Sequence, residues 1–245
     1  MKNLVIDIGN SRTKAAVLED GKITEKWSFP EPDREYIAPI LAKYPDIARC
    51  IISSTRAGIA PVEKLIEESV PFTIRMESGT KTPLVNLYRT PETLGPDRLA
   101  AAVGANLLYP GENLMVADMG TAITIDFVTS GGEFLGGSIS PGVKLRFRAL
   151  HDYTGKLPMG SVEDVSEEIA GTTAEAVSNG VMNGIAYELE GYRCEFSQKL
   201  PDLKVILTGG DVDFFVKRFK NTIFANYDLV TQGLNRILDY NAPKQ

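Results

Sequence analysis

Histidine is almost missing: His151 is the single copy in 245 residues. A multi-histidine metal site is therefore excluded, and His151 itself is left unassigned. Only two cysteines occur, Cys50 and Cys194, neither with a second Cys or a His at ligand spacing. That removes a structural zinc site, and both are expected to be buried thiols. No apolar run approaches the roughly 20 residues of a membrane span. Positive charge is in deficit, with a net charge of −6, so there is no basic footprint for nucleic acid or an anionic membrane. Neither a glycine-rich loop ending in Gly-Lys-Ser/Thr nor an N-terminal GxGxxG is present, which sets aside the two commonest nucleotide loops. Lys2 leads straight into an apolar strand with no small-residue cleavage site, so the cytoplasm is the expected compartment.

What is present alternates between β-rich runs and helical periodicity, the signature of an α/β architecture. Strands are expected at Leu4–Asp7, Ala15–Leu18, Cys50–Ser53, Leu114–Asp118, Thr124–Val128 and Lys204–Thr208. Helices are expected at Pro61–Ser69, Asp97–Leu108, Asp213–Phe219 and Leu229–Leu238. The strongest helical pattern runs from Thr173 to Phe196, where Ala174, Val177, Val181, Ile185, Leu189, Tyr192 and Phe196 form one apolar stripe.

One segment echoes another. VIDIG (Val5–Gly9) precedes an apolar strand and a turn at Asp20-Gly21; VADMG (Val116–Gly120) precedes an apolar strand and a turn at Gly131-Gly132. Asp7 and Asp118 are 111 positions apart, as are Gly9 and Gly120. Asp-x-Gly is a common turn when met singly. The paired arrangement points to a duplicated fold, with halves over 1–112 and 113–245 and the two turns facing across a cleft.

Each turn has a physical use. A glycine after a strand lets successive N–H groups converge on an anion. Asn10 and Ser11 add donors in the first turn, and Lys14 a mobile cation. Thr121 and Thr124 add hydroxyls beside Gly120. Asp7 and Asp118 repel phosphate, so cations must lie between them and the ligand, Mg²⁺ being the usual choice. Together these features describe a nucleoside triphosphate site gripped by β-hairpins.

The ordered set DIGNSRTK, TPETLGPDRLAA (Thr90–Ala101), ADMGTAITID (Ala117–Asp126), GGSISPG (Gly136–Gly142), TTAEAVSNG (Thr172–Gly180) and TGGD (Thr208–Asp211) resembles the type III pantothenate kinases. These belong to the actin-like, sugar-kinase and Hsp70 ATPase superfamily. The resemblance covers most of the chain and implies a duplicated ribonuclease H-like fold. It also implies transfer of the ATP γ-phosphoryl group, with Mg²⁺, to the primary hydroxyl of pantothenate, the first step towards coenzyme A. Asp97 matches the general base, and Tyr88, Gly95, Asp97, Arg98 and Thr173 match substrate-binding positions. Asp7, Gly9, Asn10, Ser11, Lys14, Gly120 and Thr121 match the nucleotide site. Asp118 matches the ligand of an activating K⁺ or NH₄⁺, and the family is homodimeric. Ser11-Arg12 stands where the family often has threonine and asparagine, and the chain is short for the family.

Outside that pattern, other accounts stay open. Asp97 also suits a helix cap, Arg98 a surface ion pair, and Thr208–Asp211 a tight turn or the adenosine side of the site. Lys144, Arg146 and Arg148 look like a solvated face. A sister kinase acting on another small alcohol, or a non-catalytic regulator on the same fold, are the rival functions.

Overall fold

The computed structural model describes residues 1–166, 169–216 and 223–243. The chain divides into two compact units. Residues 1–111, 128–135 and 228–245 form the first; residues 112–127 and 136–227 form the second.

The first unit is built on β1 (Lys2–Ile8), whose run Leu4, Val5, Ile6 and Ile8 is fully buried, as suits a strand covered on both faces. β2 (Thr13–Glu19) returns antiparallel beside it and places Lys14 opposite Asp7. Asp20 and Gly21 follow with φ of 50° and 78°, the left-handed pair that two-residue hairpins require. β3 (Lys22–Phe29) alternates between exposed and half-buried positions at the sheet edge. Then come α1 (Arg34–Lys43), β4 (Ile47–Ser54), α2 (Ala60–Ser69) and β5 (Phe72–Arg75). β4 runs parallel to β1 and β5 parallel to β4, giving the order β3-β2-β1-β4-β5. A short β6 (Val85–Asn86) pairs with Glu133 and Phe134, and α3 (Pro96–Leu108) follows.

The second unit repeats this plan. β7 (Leu114–Met119), β8 (Ala122–Val128) and β9 (Glu133–Pro141) are consecutive neighbours, and β10 (Lys204–Thr208) and β11 (Ile223–Ala225) extend the sheet on the far side of β7. The order β9-β8-β7-β10-β11 copies that of the first unit strand for strand, with the last two again parallel to the first. The Asp-x-Gly echo is thus the visible part of a duplicated fold. α4 (Val143–Asp152), α5 (Thr173–Ser197) and α6 (Asp213–Val216) complete the unit. Along α5 Val177, Val181, Ile185 and Leu189 are buried, so the apolar stripe serves this unit's own core, alongside Phe127, Phe147 and Phe215.

The final helix, α7 (Leu229–Asn241), belongs with the first unit and packs along α3. Gly104 of α3 and Gly233 of α7 meet at the crossing. A Cβ on Gly233 would lie 1.8 Å from the Ala100 carbonyl oxygen, and one on Gly104 would lie 2.2 Å from that of Leu229. A polar clamp fixes α7 to the sheet: Asn3 Nδ2 donates to Asn235 Oδ1 at 2.8 Å and to Asp239 Oδ1 at 3.0 Å. Arg49 of β4 pairs with the same carboxylate.

All six expected strands form; five are extended by one or more residues, and Lys204–Thr208 keeps its expected bounds. The expected helix at Asp213–Phe219 is described only to Val216; its remainder lies outside the described residues. β9 runs through Gly136–Pro141, where glycine and proline give no strand signal. Among the described residues no helix is long and apolar enough to cross a membrane.

Gly233→Ala forces a methyl group into a backbone carbonyl. Thermal unfolding is expected to fall by on the order of 5 °C or more. Gly180→Ala, in α5 with open space around it, is the control and should hold or raise the midpoint. An unchanged midpoint for Gly233→Ala would contradict the crossing.

Candidate active site

In the first unit the hairpin between β1 and β2 is closed by Gly9 N–H donating to Arg12 O at 3.0 Å. Its far side is tied to the loop after β4: Thr55 N–H donates to Ile8 O at 3.0 Å, and the Arg56 guanidinium donates to Asn10 O. Asn10, Ser11 and Lys14 are left exposed. Asp7 lies inside the rim, with Lys14 opposite it on β2 and Ser53 beside it on β4. The buried Ser53 hydroxyl donates to Asp7 Oδ1 at 3.3 Å. Burial pushes the Asp7 carboxyl up to about 6; Lys14 pulls it down and the negative charge of Asp97 adds to the rise. Asp7 therefore feels the charges of both Lys14 and Asp97 within one unit.

Asp97 reaches that position from the start of α3. Gly95 is the N-cap and Pro96, whose ring fixes φ and whose missing N–H costs nothing there, opens the helix. Asp97 is thus not the cap. It lies one residue further in, half-buried, with Oδ1 accepting the Arg98 N–H at 2.9 Å. Arg98 is buried to 5% exposure, which overturns a simple surface ion pair. Its guanidinium lies 5.3 Å from the centre of the Tyr88 ring, and that ring leans on Phe134 at 6.3 Å. A cavity of about 190 Å³ opens against Gly95, floored by Met76, Leu94 and Leu99 and edged by Ser54 and Asn86.

In the second unit Asp118, Gly120 and Thr121 occupy the β7–β8 turn. The Thr208–Asp211 loop passes over it, with Asp211 N–H donating to Met119 O at 3.0 Å. Gly209 has φ of 98°, and a Cβ there would sit 2.5 Å from Asp118 Oδ1; only glycine lets the loop come so close. Gly142, the N-cap of α4, donates its N–H to Thr121 O at 3.0 Å. Thr173 is exposed in the first turn of α5, where the capping box is made instead by Thr172 and Glu175.

Two expectations need correction. Cys194 is exposed, not buried, with its thiol beside Glu190 and Arg193; Cys50 is buried as expected. Arg146 is not on a solvated face. It donates to Pro141 O at 2.7 Å and Ser140 Oγ at 3.1 Å, and pairs with Glu188 of α5, fixing α4 to α5. Ser53 was invisible in the sequence, being one small residue at the end of an apolar strand.

The chemistry available is that of carboxylates beside anion-binding turns. Among the described residues no three His, Cys, Asp or Glu side chains are clustered to hold a metal ion alone. A divalent cation would fit here only when phosphate oxygens and water complete its shell, which is how Mg²⁺ is usually held.

Residues 3–194 match the Pan_kinase family, described as type III pantothenate kinase. A type III pantothenate kinase of Flavobacterium johnsoniae is 39% identical over 241 residues, covering 97% of each chain. Among solved structures, a conserved putative Baf family transcriptional activator from Campylobacter jejuni aligns with a TM-score of 0.64 at 23% identity, over 97% of this chain and 98% of that one. A putative N-acetylmannosamine kinase from Listeria monocytogenes aligns with a TM-score of 0.54 at 15% identity, over 99% and 100%. At these identities the likeness to solved structures speaks to fold alone, and the fold is the duplicated actin-like one.

The raised Asp7 carboxyl has a consequence for stability. Asp7 holds its proton more tightly folded than unfolded, so its contribution is fully present below about pH 4 and is lost as the pH rises through about 6. Without nucleotide, Asp7→Asn is expected to stabilise the protein at pH 7.5 by roughly 1–3 kcal/mol, with the gain vanishing by pH 4. Denaturant melts across that range check it; a variant less stable than the parent at pH 7.5 would contradict a net cost of burying this charge.

Proposed function

This chain belongs to the type III pantothenate kinase family, and on that premise we propose that Asp97 is the general base in ATP-dependent phosphorylation of pantothenate to 4′-phosphopantothenate, the first step of coenzyme A biosynthesis, carried out in the cytoplasm. What supports the assignment is the position of Asp97 at the head of α3, beside Arg98, with its charge reaching Asp7 at the end of β1. A carboxylate able to take a hydroxyl proton thus lies within charge range of a turn suited to phosphate. Asp97 accepts the proton of the substrate's primary hydroxyl as the oxygen attacks the γ-phosphorus. Most of the rate comes from alignment and charge stabilisation.

Gly9, Asn10, Ser11 and Lys14 take phosphate oxygens at the first turn, Gly120 and Thr121 at the second. Asp7 and Asp118 face cations, not the phosphates directly. Mg²⁺ bound with ATP supplies charge neutralisation at the phosphates, and a K⁺ or NH₄⁺ ion near Asp118 adds to it. Arg98 is pre-positioned by its stacking on Tyr88. Its planar fork suits the carboxylate of pantothenate, with Tyr88 and Gly95 next to it. Thr173 of a second subunit completes that pocket in a homodimer. Ile139 and Tyr187, large and exposed in the second unit, fit such self-association.

Asp97→Asn keeps the shape of the side chain and removes the proton acceptor. Turnover should fall by about a hundredfold or more, with KM for ATP little changed and the melting temperature preserved. Wild-type turnover in a coupled ADP-release assay would remove Asp97 as the base, and turnover only with another alcohol would redirect the substrate assignment.

The shared pocket is tested by mixing. Asp97→Asn and Thr173→Arg chains are each expected to be inactive. Mixed with free exchange they should recover up to about a quarter of wild-type activity, since half the dimers are mixed and each of those has one intact site. No recovery despite demonstrated exchange would place the two residues in one subunit's pocket.

A further inference from the structure

Arg56 has no part in the chemistry described so far. It stands in the loop between β4 and α2, and that loop is fastened to the first hairpin. Ile8 O accepts the Thr55 N–H at 3.0 Å and the Thr55 hydroxyl at 3.3 Å, and Asn10 O accepts from Nη2 of Arg56. The Arg56 backbone is held as well: its N–H donates to Ser54 Oγ at 3.0 Å, and the same hydroxyl donates to Arg56 O at 3.0 Å. Ser54 in turn edges the cavity against Gly95 and Pro96 at the head of α3. Arg56 is thus tied to the hairpin tip through its side chain and to the rim of that cavity through its backbone.

These bonds leave most of the guanidinium unused. Arg56 is half-buried, and among the described residues no carboxylate pairs with it and Nε and Nη1 have no partner. A partly desolvated cation whose partner is a neutral carbonyl is unfavourable until an anion arrives. Arg12, the turn's own arginine, is used differently: Nε donates to Ser28 Oγ at 2.6 Å and Nη2 to Ser28 O at 3.2 Å, which holds it against β3. The contact with Asn10 O also changes the rim of the turn. A bare carbonyl oxygen there would repel phosphate, and a cation laid over it reverses the sign.

In phosphoryl transfer the terminal phosphoryl group is the one that meets the acceptor hydroxyl, so it has to reach from the hairpin towards Asp97. We propose that the Arg56 guanidinium binds the terminal phosphate of the nucleotide and stabilises the charge on its oxygens during transfer. The planar fork suits two of those oxygens at once. As the acceptor oxygen bonds to the γ-phosphorus and the bond to the β,γ-bridging oxygen breaks, the acceptor's proton goes to Asp97. Arg56 stays protonated throughout and supplies charge alone. The proposal rests on the first hairpin being a phosphate turn and on Asp97 being the base.

The test is calorimetric titration of the whole protein, without pantothenate, with the Mg²⁺ complexes of ADP and of AMPPNP, the ATP analogue whose terminal phosphate hangs on a bridging nitrogen. Arg56→Ala should weaken AMPPNP about tenfold or more and leave ADP within about twofold of the wild type. Turnover of ATP and pantothenate should fall about a hundredfold in this variant, with the KM for pantothenate little changed. Guanidinium ion added well below denaturing concentrations should restore part of the Arg56→Ala turnover and none of that lost in Asp97→Asn. Arg56→Lys keeps the charge without the fork; it should fall between, and it guards against an alanine variant that does not fold. Equal weakening of ADP and AMPPNP would make Arg56 a brace for the hairpin and overturn the proposal. Pantothenate phosphorylation by the same preparations separates the two readings. Wild-type turnover in Arg56→Ala removes the terminal-phosphate contact and leaves the kinase. A selective loss of AMPPNP affinity, in a protein whose wild type does not phosphorylate pantothenate, removes the substrate assignment and leaves the contact. Absence of nucleotide binding to the wild type removes both.

Discussion

The first unit turns on a helix crossing at which neither partner has a side chain. Gly104 and Gly233 let α3 and α7 come together until backbone meets backbone. α3 is buried along most of its length, from Arg98 through Ala105, and its first turn carries Asp97 and Arg98. A helix held by carbonyl contacts on one side and by an apolar core on the other has little freedom to slide or rotate. The positions of the Asp97 carboxylate and of the Arg98 guanidinium over Tyr88 are consequences of that confinement. The Asn3, Asn235, Asp239 and Arg49 clamp acts in the same direction, fixing the register of α7 on the sheet.

The duplicated sheet explains why the acids recur. In each copy an Asp-x-Gly turn joins the first strand to the second, and a parallel strand runs beside the first. The copies differ in what that parallel strand contributes at the level of the acid. In the first unit Ser53, beside Asp7, donates a hydrogen bond to it. In the second Thr208, beside Asp118, leads into a glycine loop that folds back over the carboxylate. One architecture thus gives two carboxylate environments, and environment decides what a carboxylate does.

Much of this was legible in the sequence. Continuous apolar runs marked β1, β4, β7 and β10, the 3.6-residue period marked α5, and the matched spacing of Asp7 and Asp118 marked the duplication. The edge strand β3 and the glycine-bearing β9 were less visible, because partial exposure and glycine blur the alternation that marks a strand. Among the candidate site residues, glycines and acids in turns announced themselves through composition. The burial of Arg98, the Ser53 hydrogen bond and the burial of Asp7 come from packing between distant segments. No local pattern encodes them. Arg146 shows the reverse error: its neighbours Lys144 and Arg148 are exposed, and only the approach of α5 with Glu188 draws it in.

The first unit is stitched from both ends of the chain, residues 1–111 and 228–245, whereas most of the second is one continuous stretch. A chain made from its N-terminus folds as it emerges, so the second unit can close while α3 still lacks the helix that lies against it. Only when residues 229–241 have also been released does α7 lay Gly233 onto Ala100 and brace the helix whose first turn carries Asp97. Order of synthesis therefore places the scaffold around Asp97 after the second unit, and a nascent chain caught short of α7 would bear the motif without that scaffold.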